Sequence, residues 1–363
     1  MVLYKSKKVV YTLIQYPKKC RFSDNFFFAM KQIFDIDFVL PWVDGNDENW
    51  IKSFNEYAPR EKQKALDFSA ERYRDYGLLK YWFRGVEKFA PYIRKIHFIT
   101  NGQLPTWLNL ENPKLHWVKH SDYICKEYLP VFSSHPIEMC IHKISDLAEH
   151  FVYFNDDFFL TAPTLPNFFF KKGLPCDYAI SNIQIPKRTV MRSIVMNDLT
   201  EINKHFSKRE YIKKSPLKYI NPKYGKMNIR TLACLLWKET TGFQNFHLPQ
   251  PYLKSTLDEV WEKCSEILTE TMKSRFRSEN DVNQWLFRYW QLCKGNFYPI
   301  NPQKDRKYFE LDMDIYEIST AIQKQKYKEI ILNDAECENF DKKMKKIVEV
   351  FDSILPEKSS FEL

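Results

Sequence analysis

An α/β fold built on a mainly parallel sheet is predicted by three features of this 363-residue chain. The run Ile36-Asp37-Phe38-Val39-Leu40-Pro41-Trp42-Val43 has strand character and stops abruptly at Asp44-Gly45-Asn46-Asp47. Phe151-Val152-Tyr153-Phe154 runs in the same way into Asn155-Asp156-Asp157. Between them lie a helical pattern and another strand-like run, and open α/β sheets of this kind carry their ligand-binding turns outside the carboxyl ends of the strands.

Along the chain, residues 1–35 carry basic and aromatic residues without clear periodicity and read as an arm. Lys5, Lys7, Lys8, Lys18, Lys19 and Arg21 cluster there beside Phe26-Phe27-Phe28, a composition that suits either lipid headgroups or the start of a core. The first strand covers 36–43, and Asp47 is placed to cap a helix over 48–57. Leu78, Leu79, Trp82, Val86 and Phe89 recur at helical spacing, and Pro91 fits the end of a helix over 76–90. Lys95 to Thr100 forms the next strand and breaks at the turn dipeptide Asn101-Gly102. Strand, helix and strand in that order predict a right-handed crossover with parallel strands. Residues 137–149 read as a helix leading into the strand at 151–154. Asp44, Asn101 and Asp156-Asp157 then share one sheet edge, the predicted site.

From about 163 to 255, Pro163, Pro166, Pro175, Pro186, Pro216 and Pro222 interrupt short helical segments, the pattern expected of an acceptor-side insertion. Helices are expected over 228–238 and 281–293. Met344, Ile347, Val348, Phe351 and Ile354 form an apolar helix face opposite Lys342, Lys345 and Lys346, ended by Pro356. The chain thus divides into an arm (1–35), a catalytic core (36–335) and a C-terminal amphipathic helix with its tail (336–363).

Composition narrows the chemistry. Only 8 glycines occur and neither GxGxxG nor GxxxxGK[ST] is present, so phosphate must be held by side chains, helix N-termini or a metal. The net charge of +9, from 55 basic against 46 acidic residues, suits an anionic partner such as a nucleotide, a phosphorylated glycan or a membrane surface. Charge alone favours the plainer reading, a soluble lysine-rich surface. No apolar stretch approaches a bilayer span and the first residues lack the apolar segment of a signal peptide, so the expected location is the cytoplasm, with at most peripheral contact at the inner face of the cell membrane. The 8 cysteines form no CxxC pair, which argues against a zinc ribbon or a disulfide framework.

Carboxylates at a strand end suit an oxygen-liganded divalent cation, because magnesium favours one or two carboxylates plus water and substrate phosphates. Asp156-Asp157 fits this, as does a solvated turn. Asp44 and Asp47 share that ambiguity. Arg72, Arg74, Lys80 and Arg84 lie before and along the 76–90 helix, where arginine could clamp a diphosphate in place of a glycine loop or make ordinary surface ion pairs. His247 stands in the turn Phe246-His247-Leu248-Pro249, and Arg277 in Arg275-Phe276-Arg277-Ser278-Glu279-Asn280-Asp281. A histidine can take a proton from an attacking hydroxyl and an arginine can balance charge on a phosphoryl group, although a lone histidine is more often structural. His116 and His120 flank Trp117-Val118 without a nearby glutamate and read as non-catalytic.

Taken together and in order, six blocks resemble the Stealth family of sugar-phosphate transferases: IDFVLPWVDGNDENW (36–50), RYRDYGLLKYWFRGVEKFAPYIRKIHFITNGQLPTWL (72–108), HPIEMCIHKISDLAEHFVYFNDDFFL (135–160), FHLPQPYLKS (246–255), RFRSENDVNQWLFRYW (275–290) and LPEKSSFE (355–362). The resemblance implies a Rossmann-like sheet of a nucleotide-sugar transferase. It also implies transfer of a sugar 1-phosphate from a nucleotide sugar, usually a UDP-sugar, to a glycan hydroxyl, with release of UMP. Carried over by position, Asp44, Asp156, Asp157, His247 and Arg277 match active-site residues. Arg74 and Arg84, with Asn101 at the neighbouring strand end, are expected to face the donor. Mg2+ or Mn2+ is the expected cofactor, held by Asp156 and Asp157, and the acceptor is a polysaccharide or lipid-linked oligosaccharide, with no nucleic acid. Two assignments stay open: His247 as the general base with Arg277 stabilising phosphoryl charge, or an aspartate as the base with His247 binding phosphate. The competing activity is a metal-dependent glycosyltransferase releasing UDP, whose acidic turn would look the same. A nucleic-acid or lipid-surface protein would segregate its basic residues, whereas both signs are interspersed along most of this chain.

Overall fold

The computed structural model describes residues 34–58, 77–185, 189–335, 337 and 339–363. The arm, apart from its last two residues, and both Arg72 and Arg74 lie outside them. The strands are β1 (Ile36–Pro41), β2 (Ile96–Thr100), β3 (Leu115–Lys119), β4 (His150–Tyr153), β5 (Phe158–Leu160), β6 (Phe170–Lys171), β7 (Leu174–Asp177), β8 (Gln250–Leu253), β9 (Tyr298–Pro299), β10 (Arg306–Glu310) and β11 (Glu329–Asn333). Helices α1 (Glu48–Tyr57), α2 (Leu79–Phe89), α3 (His120–Tyr123) and α4 (Ser134–Met139) fall in the first half. Next come α5 (Val190–His205), α6 (Lys208–Lys214), α7 (Pro216–Tyr219) and α8 (Asn228–Cys234). The chain ends through α9 (Lys254–Met272), α10 (Gln284–Lys294), α11 (Ile315–Gln323) and α12 (Phe340–Ile354).

The principal sheet runs β3-β2-β1-β4-β8. β1 pairs in parallel with β2 and β4, β2 in parallel with β3, and β8 closes the sheet antiparallel to β4. The fold is therefore mixed α/β with a mainly parallel sheet, an order compatible with a Rossmann-like arrangement. After β3 the chain returns to the opposite side of β1, so the strand order reverses between β1 and β4. Such a reversal opens a crevice at the carboxyl ends.

Both faces of the sheet are covered, as parallel sheets require. Ile36, Phe38 and Leu40 face one core with Trp82, Phe83, Val86 and the α12 residues Ile347 and Phe351. Val39 points the other way, with Phe151 and Tyr153, into a second core with Leu257, Leu286 and Phe287. This is the two-residue alternation of a strand. Asp37 interrupts the apolar run and is fully buried. Arg94 Nε donates to Asp37 Oδ1 at 2.9 Å, Arg94 Nη2 to Oδ2 at 2.5 Å, and the Ala148 amide to Oδ2 at 2.8 Å. His97 Nε2 lies 2.9 Å from Oδ2. Burial alone would raise this carboxyl, but His97 and Arg94 outweigh it and hold the pKa below its ordinary value.

The first strand and α1 follow expectation, the strand ending at Pro41 and Asp47 Oδ1 accepting from the Trp50 amide at 2.7 Å. The helix expected over 137–149 does not form. Ser133 caps α4 early, Cys140 leaves helical geometry (φ −103°, ψ 7°), and a 3-10 turn covers Ile141–Lys143. Asp146 then adopts φ 58°, in the left-handed region that ends helices, and its side chain pairs with Arg94 and Lys95. α10 starts at Gln284 because Asn283 caps it, and Gly295 at φ 72° ends it. In α12 the buried face is Met344, Ile347, Val350, Phe351 and Ile354, with Val348 partly buried at its edge. Residues after α12 join the first core, where Phe361 packs on Phe83 with ring centroids 5.3 Å apart.

Candidate active site

Because β8 is antiparallel to β4, with Tyr153 opposite Gln250, the residues preceding β8 arrive beside those following β4. The consequence is direct: His247 Nε2 lies 3.1 Å from Asp157 Oδ2. The imidazole is 37% exposed and the carboxylate 16%, so the pair is reachable from solvent. Phe158 meets the imidazole edge to face at 4.7 Å, and Tyr308 lies edge-on at 6.1 Å. Burial, then Glu310, pushes the Tyr308 hydroxyl up to about 12, so it stays protonated.

Both partners are held firmly. The Asn155-Asp156-Asp157 turn joins β4 of the principal sheet to β5 of a second sheet, ordered β10-β11-β5. The Leu332 amide donates to the Asp157 carbonyl at 2.9 Å, fixing the turn from β11. His247 is secured on either side by a buried pair, Arg288 and Asp177, each 1% exposed. Arg288 Nη1 donates to Asn245 Oδ1 at 2.8 Å, while Gln250 Nε2 donates to Asp177 Oδ2 at 3.0 Å. The short segment between these anchors carries the histidine.

Asp44 follows β1 across the switch point. Its backbone exchanges two hydrogen bonds with the Gln103 side chain, at 3.0 and 2.9 Å, which ties the turn after β1 to that after β2. Its Oδ1 accepts from the Asn46 amide at 2.9 Å. Asn101 belongs to the same edge, with its Oδ1 accepting from the Gln103 amide at 3.3 Å.

Arg277 is half-buried and makes no hydrogen bond or ion pair among the described residues. Its loop is braced from several elements. Phe276 stacks on Phe132 at 5.1 Å, and Phe54 of α1 meets both rings edge-on at 5.3 Å. Asp281 Oδ2 accepts from the Ser278 amide at 2.9 Å and lies 2.9 Å from His135 Nδ1. Asn197 of α5 donates to the carbonyls of Glu279 and Asp281. Glu138 couples this assembly to β4: it accepts from the Gln284 amide at 2.9 Å and from the Tyr153 hydroxyl at 3.4 Å. Burial raises the Glu138 pKa, while His135 and Arg277 oppose the shift.

Arg84 is placed elsewhere, correcting the expectation that it faces the donor. Its Nε and Nη2 donate to the two Glu362 oxygens at 2.8 and 2.7 Å, and Nη1 donates to the Leu355 carbonyl at 3.0 Å. The side chain is 8% exposed, so its guanidinium is committed to anchoring the C-terminal tail. Arg74, the other expected clamp, lies outside the described residues.

Asp156 and Asp157 supply adjacent oxygen donors, the chemistry that Mg2+ or Mn2+ takes. Among the described residues, a trio of ligand-type side chains within 4.8 Å occurs at Glu201, His205 and Cys264, on α5 and α9 rather than at this turn. A cation at the strand-end turn would therefore draw its remaining ligands from water and substrate.

Three conserved regions of Stealth proteins match the chain: conserved region 1 over residues 34–61, conserved region 2 over 72–176 and conserved region 3 over 246–290. The capsular polysaccharide phosphotransferase WcwK of Streptococcus pneumoniae is 42% identical over 335 residues, covering 92% of this chain and 99% of that protein. The chain belongs to the Stealth family. It is a transferase. The receptor polysaccharide phosphotransferase WefC of Streptococcus gordonii is 43% identical over 333 residues, with 90% and 99% covered. An exopolysaccharide phosphotransferase of Lactiplantibacillus plantarum is 38% identical over 334 residues, with 91% and 96% covered. The Stealth regions coincide with the site: the first carries Asp44, the second Asp156 and Asp157, the third His247, Arg277 and Arg288. Sequence reasoning assigned no role to Glu138, His135, Asp281, Gln103, Arg288 or Tyr308. The first four and Arg288 stand in the quoted blocks, which was the available signal, whereas Tyr308 lies in none of them.

Proposed function

We propose that this Stealth chain transfers a sugar 1-phosphate from a UDP-sugar to a hydroxyl of a capsular or exopolysaccharide glycan, forming a phosphodiester and releasing UMP. The observation that carries the reading is the His247–Asp157 contact at the carboxyl edge of the sheet. The names of the relatives point to the same class of product.

With Nε2–H donated to Asp157 Oδ2, the imidazole keeps the lone pair of Nδ1 for an acceptor proton. The acceptor oxygen, losing that proton to Nδ1, bonds to the phosphorus bearing the sugar, and the bond from that phosphorus to the UMP oxygen breaks with its electron pair on UMP. Arg277 is free to meet the charge on the transferred phosphoryl group. Asp44 positions the donor from the other side of the switch point. Mg2+ or Mn2+ at Asp156 and Asp157 would neutralise diphosphate charge. The proposed setting is the cytoplasmic face of the membrane with peripheral contact; no described helix is long and apolar enough to cross a bilayer.

Nucleotide analysis after incubation with UDP-sugars, a divalent cation and a glycan acceptor tests this reading. UMP together with a phosphodiester signal in the glycan is expected. Release of UDP would instead establish attack at the anomeric carbon, the glycosyltransferase alternative, and overturn the roles given to His247 and Arg277.

A further inference from the structure

We infer that α8 and its surroundings form a docking surface for an anionic lipid membrane. α8 is anchored on one side only: Thr231 and Cys234 are buried, and Thr231 Oγ1 accepts from the Ser181 amide at 3.1 Å. The remaining face and the turn that continues it present Ile229, Leu232, Leu235, Leu236 and Trp237 to solvent, with Leu236 86% exposed. Ile229, Leu232 and Leu236 follow helical spacing and form one stripe.

Neighbouring elements extend this surface. Asn221 Nδ2 donates to the Leu217 carbonyl at 2.6 Å, and the Asn221 amide donates to Asn228 Oδ1 at 3.1 Å, which brings exposed Leu217 beside the start of α8. Arg230 reaches Asn182, next to exposed Ile183. An apolar patch of this breadth on a soluble face marks an interaction site.

Charge selects the partner. Residues 211–238 contain Lys213, Lys214, Lys218, Lys223, Lys226, Arg230 and Lys238 and no acidic residue. Lys213, Lys214, Lys226 and Lys238 are exposed and make no hydrogen bond or ion pair among the described residues. Leucine, isoleucine and tryptophan on α8 and its turn, flanked along the chain by the exposed Lys226 and Lys238, match the acyl boundary and phosphate layer of an anionic leaflet. A second copy meeting this face would bring two basic rims together.

The surface adjoins the site. Arg230 Nη1 donates to Gln244 Oε1 at 3.1 Å, three residues before His247. Met227 and Phe246, both partly buried, pack against the same small buried cluster of Tyr178, Ile180 and Tyr224. Docking here would hold the His247 edge near the headgroups, where a lipid-linked acceptor carries its sugar. That consequence rests on the proposed function; the docking itself does not.

Co-flotation of the full chain with vesicles tests the inference. Binding is expected to phosphatidylcholine vesicles containing phosphatidylglycerol, falling steeply with salt, and to be much weaker with phosphatidylcholine alone. The double variant L236E/W237E is expected to weaken binding by at least about tenfold, since two exposed apolar side chains no longer enter the interface. K226E/K238E is expected to flatten the salt dependence. Three results would overturn it: no binding of the unsubstituted chain, binding unchanged in L236E/W237E, or a dimer in solution that this variant dissociates. UMP release with a water-soluble acceptor is read in parallel. An unsubstituted chain that releases UMP but binds no vesicles overturns the docking surface alone, and one that binds vesicles but releases no UMP overturns the reaction alone.

Discussion

His247 and Asp157 are 90 positions apart, and neither is informative alone; their contact turns a lone histidine into an oriented one. His247→Ala is expected to lower kcat for UMP release by about 10²–10⁴-fold with the circular dichroism spectrum unchanged. Asp157→Asn should lower kcat as well, because an amide can hold the wrong imidazole tautomer; wild-type turnover would move the base role elsewhere. Arg84 shows the reverse case. A basic residue on a helix reads the same whether it meets substrate or a carboxylate 278 positions away. Breaking the buried pair by Arg84→Ala should cost about 3–5 kcal/mol in denaturant unfolding while leaving donor KM unchanged in the folded fraction. A raised KM with normal stability would restore the donor-binding role.

At the scale of elements, the turn after β4 and the segment before β8 owe their placement to neighbours that periodicity does not register. Arg288 and Asp177 grip the His247 segment on both sides, so Arg288→Ala should destabilise the fold by about 3–5 kcal/mol. It should also lower kcat in whatever enzyme remains folded, which a purely structural pair elsewhere would not. Gly85 lets α2 approach β5: a Cβ there would lie 2.7 Å from the Leu160 carbonyl oxygen, a backbone atom with little room to yield. Gly85→Ala should therefore cost about 1–3 kcal/mol, read as a lowered Tm. Strands β1, β2 and β4 and helices α1, α2 and α12 were legible because hydrophobic period and capping residues act locally, whereas β5 to β11 were not read from the sequence. In place of the expected helix over 137–149 stand α4, ending at Met139, a 3-10 turn over Ile141–Lys143 and Asp146, whose side chain serves Arg94 and Lys95 beside the sheet.

Across the whole molecule, the buried Asp37 network links β1, β2 and the approach to β4, and it carries a pH signature. The folded pKa lies below the ordinary value of 3.8, so its stabilisation is present above that pH and is lost as pH falls through the folded pKa. Acid titration of unfolding free energy should show this loss in the wild type and a flatter slope below the ordinary carboxylate range in Asp37→Asn. Equal slopes would remove Asp37 from the acid response.

The residues on their own determined the strand-and-turn pattern, the shared sheet edge, the lack of a glycine phosphate cradle and, through the order of the blocks, the Stealth resemblance. These rest on local periodicity and on residue types at strand ends. Only the tertiary structure decided that His247 meets Asp157, that Arg84 belongs to the C-terminal tail and that apolar side chains on α8 remain uncovered. Each of these depends on which distant segment fills the space beside a residue, and strand order and packing choose that neighbour.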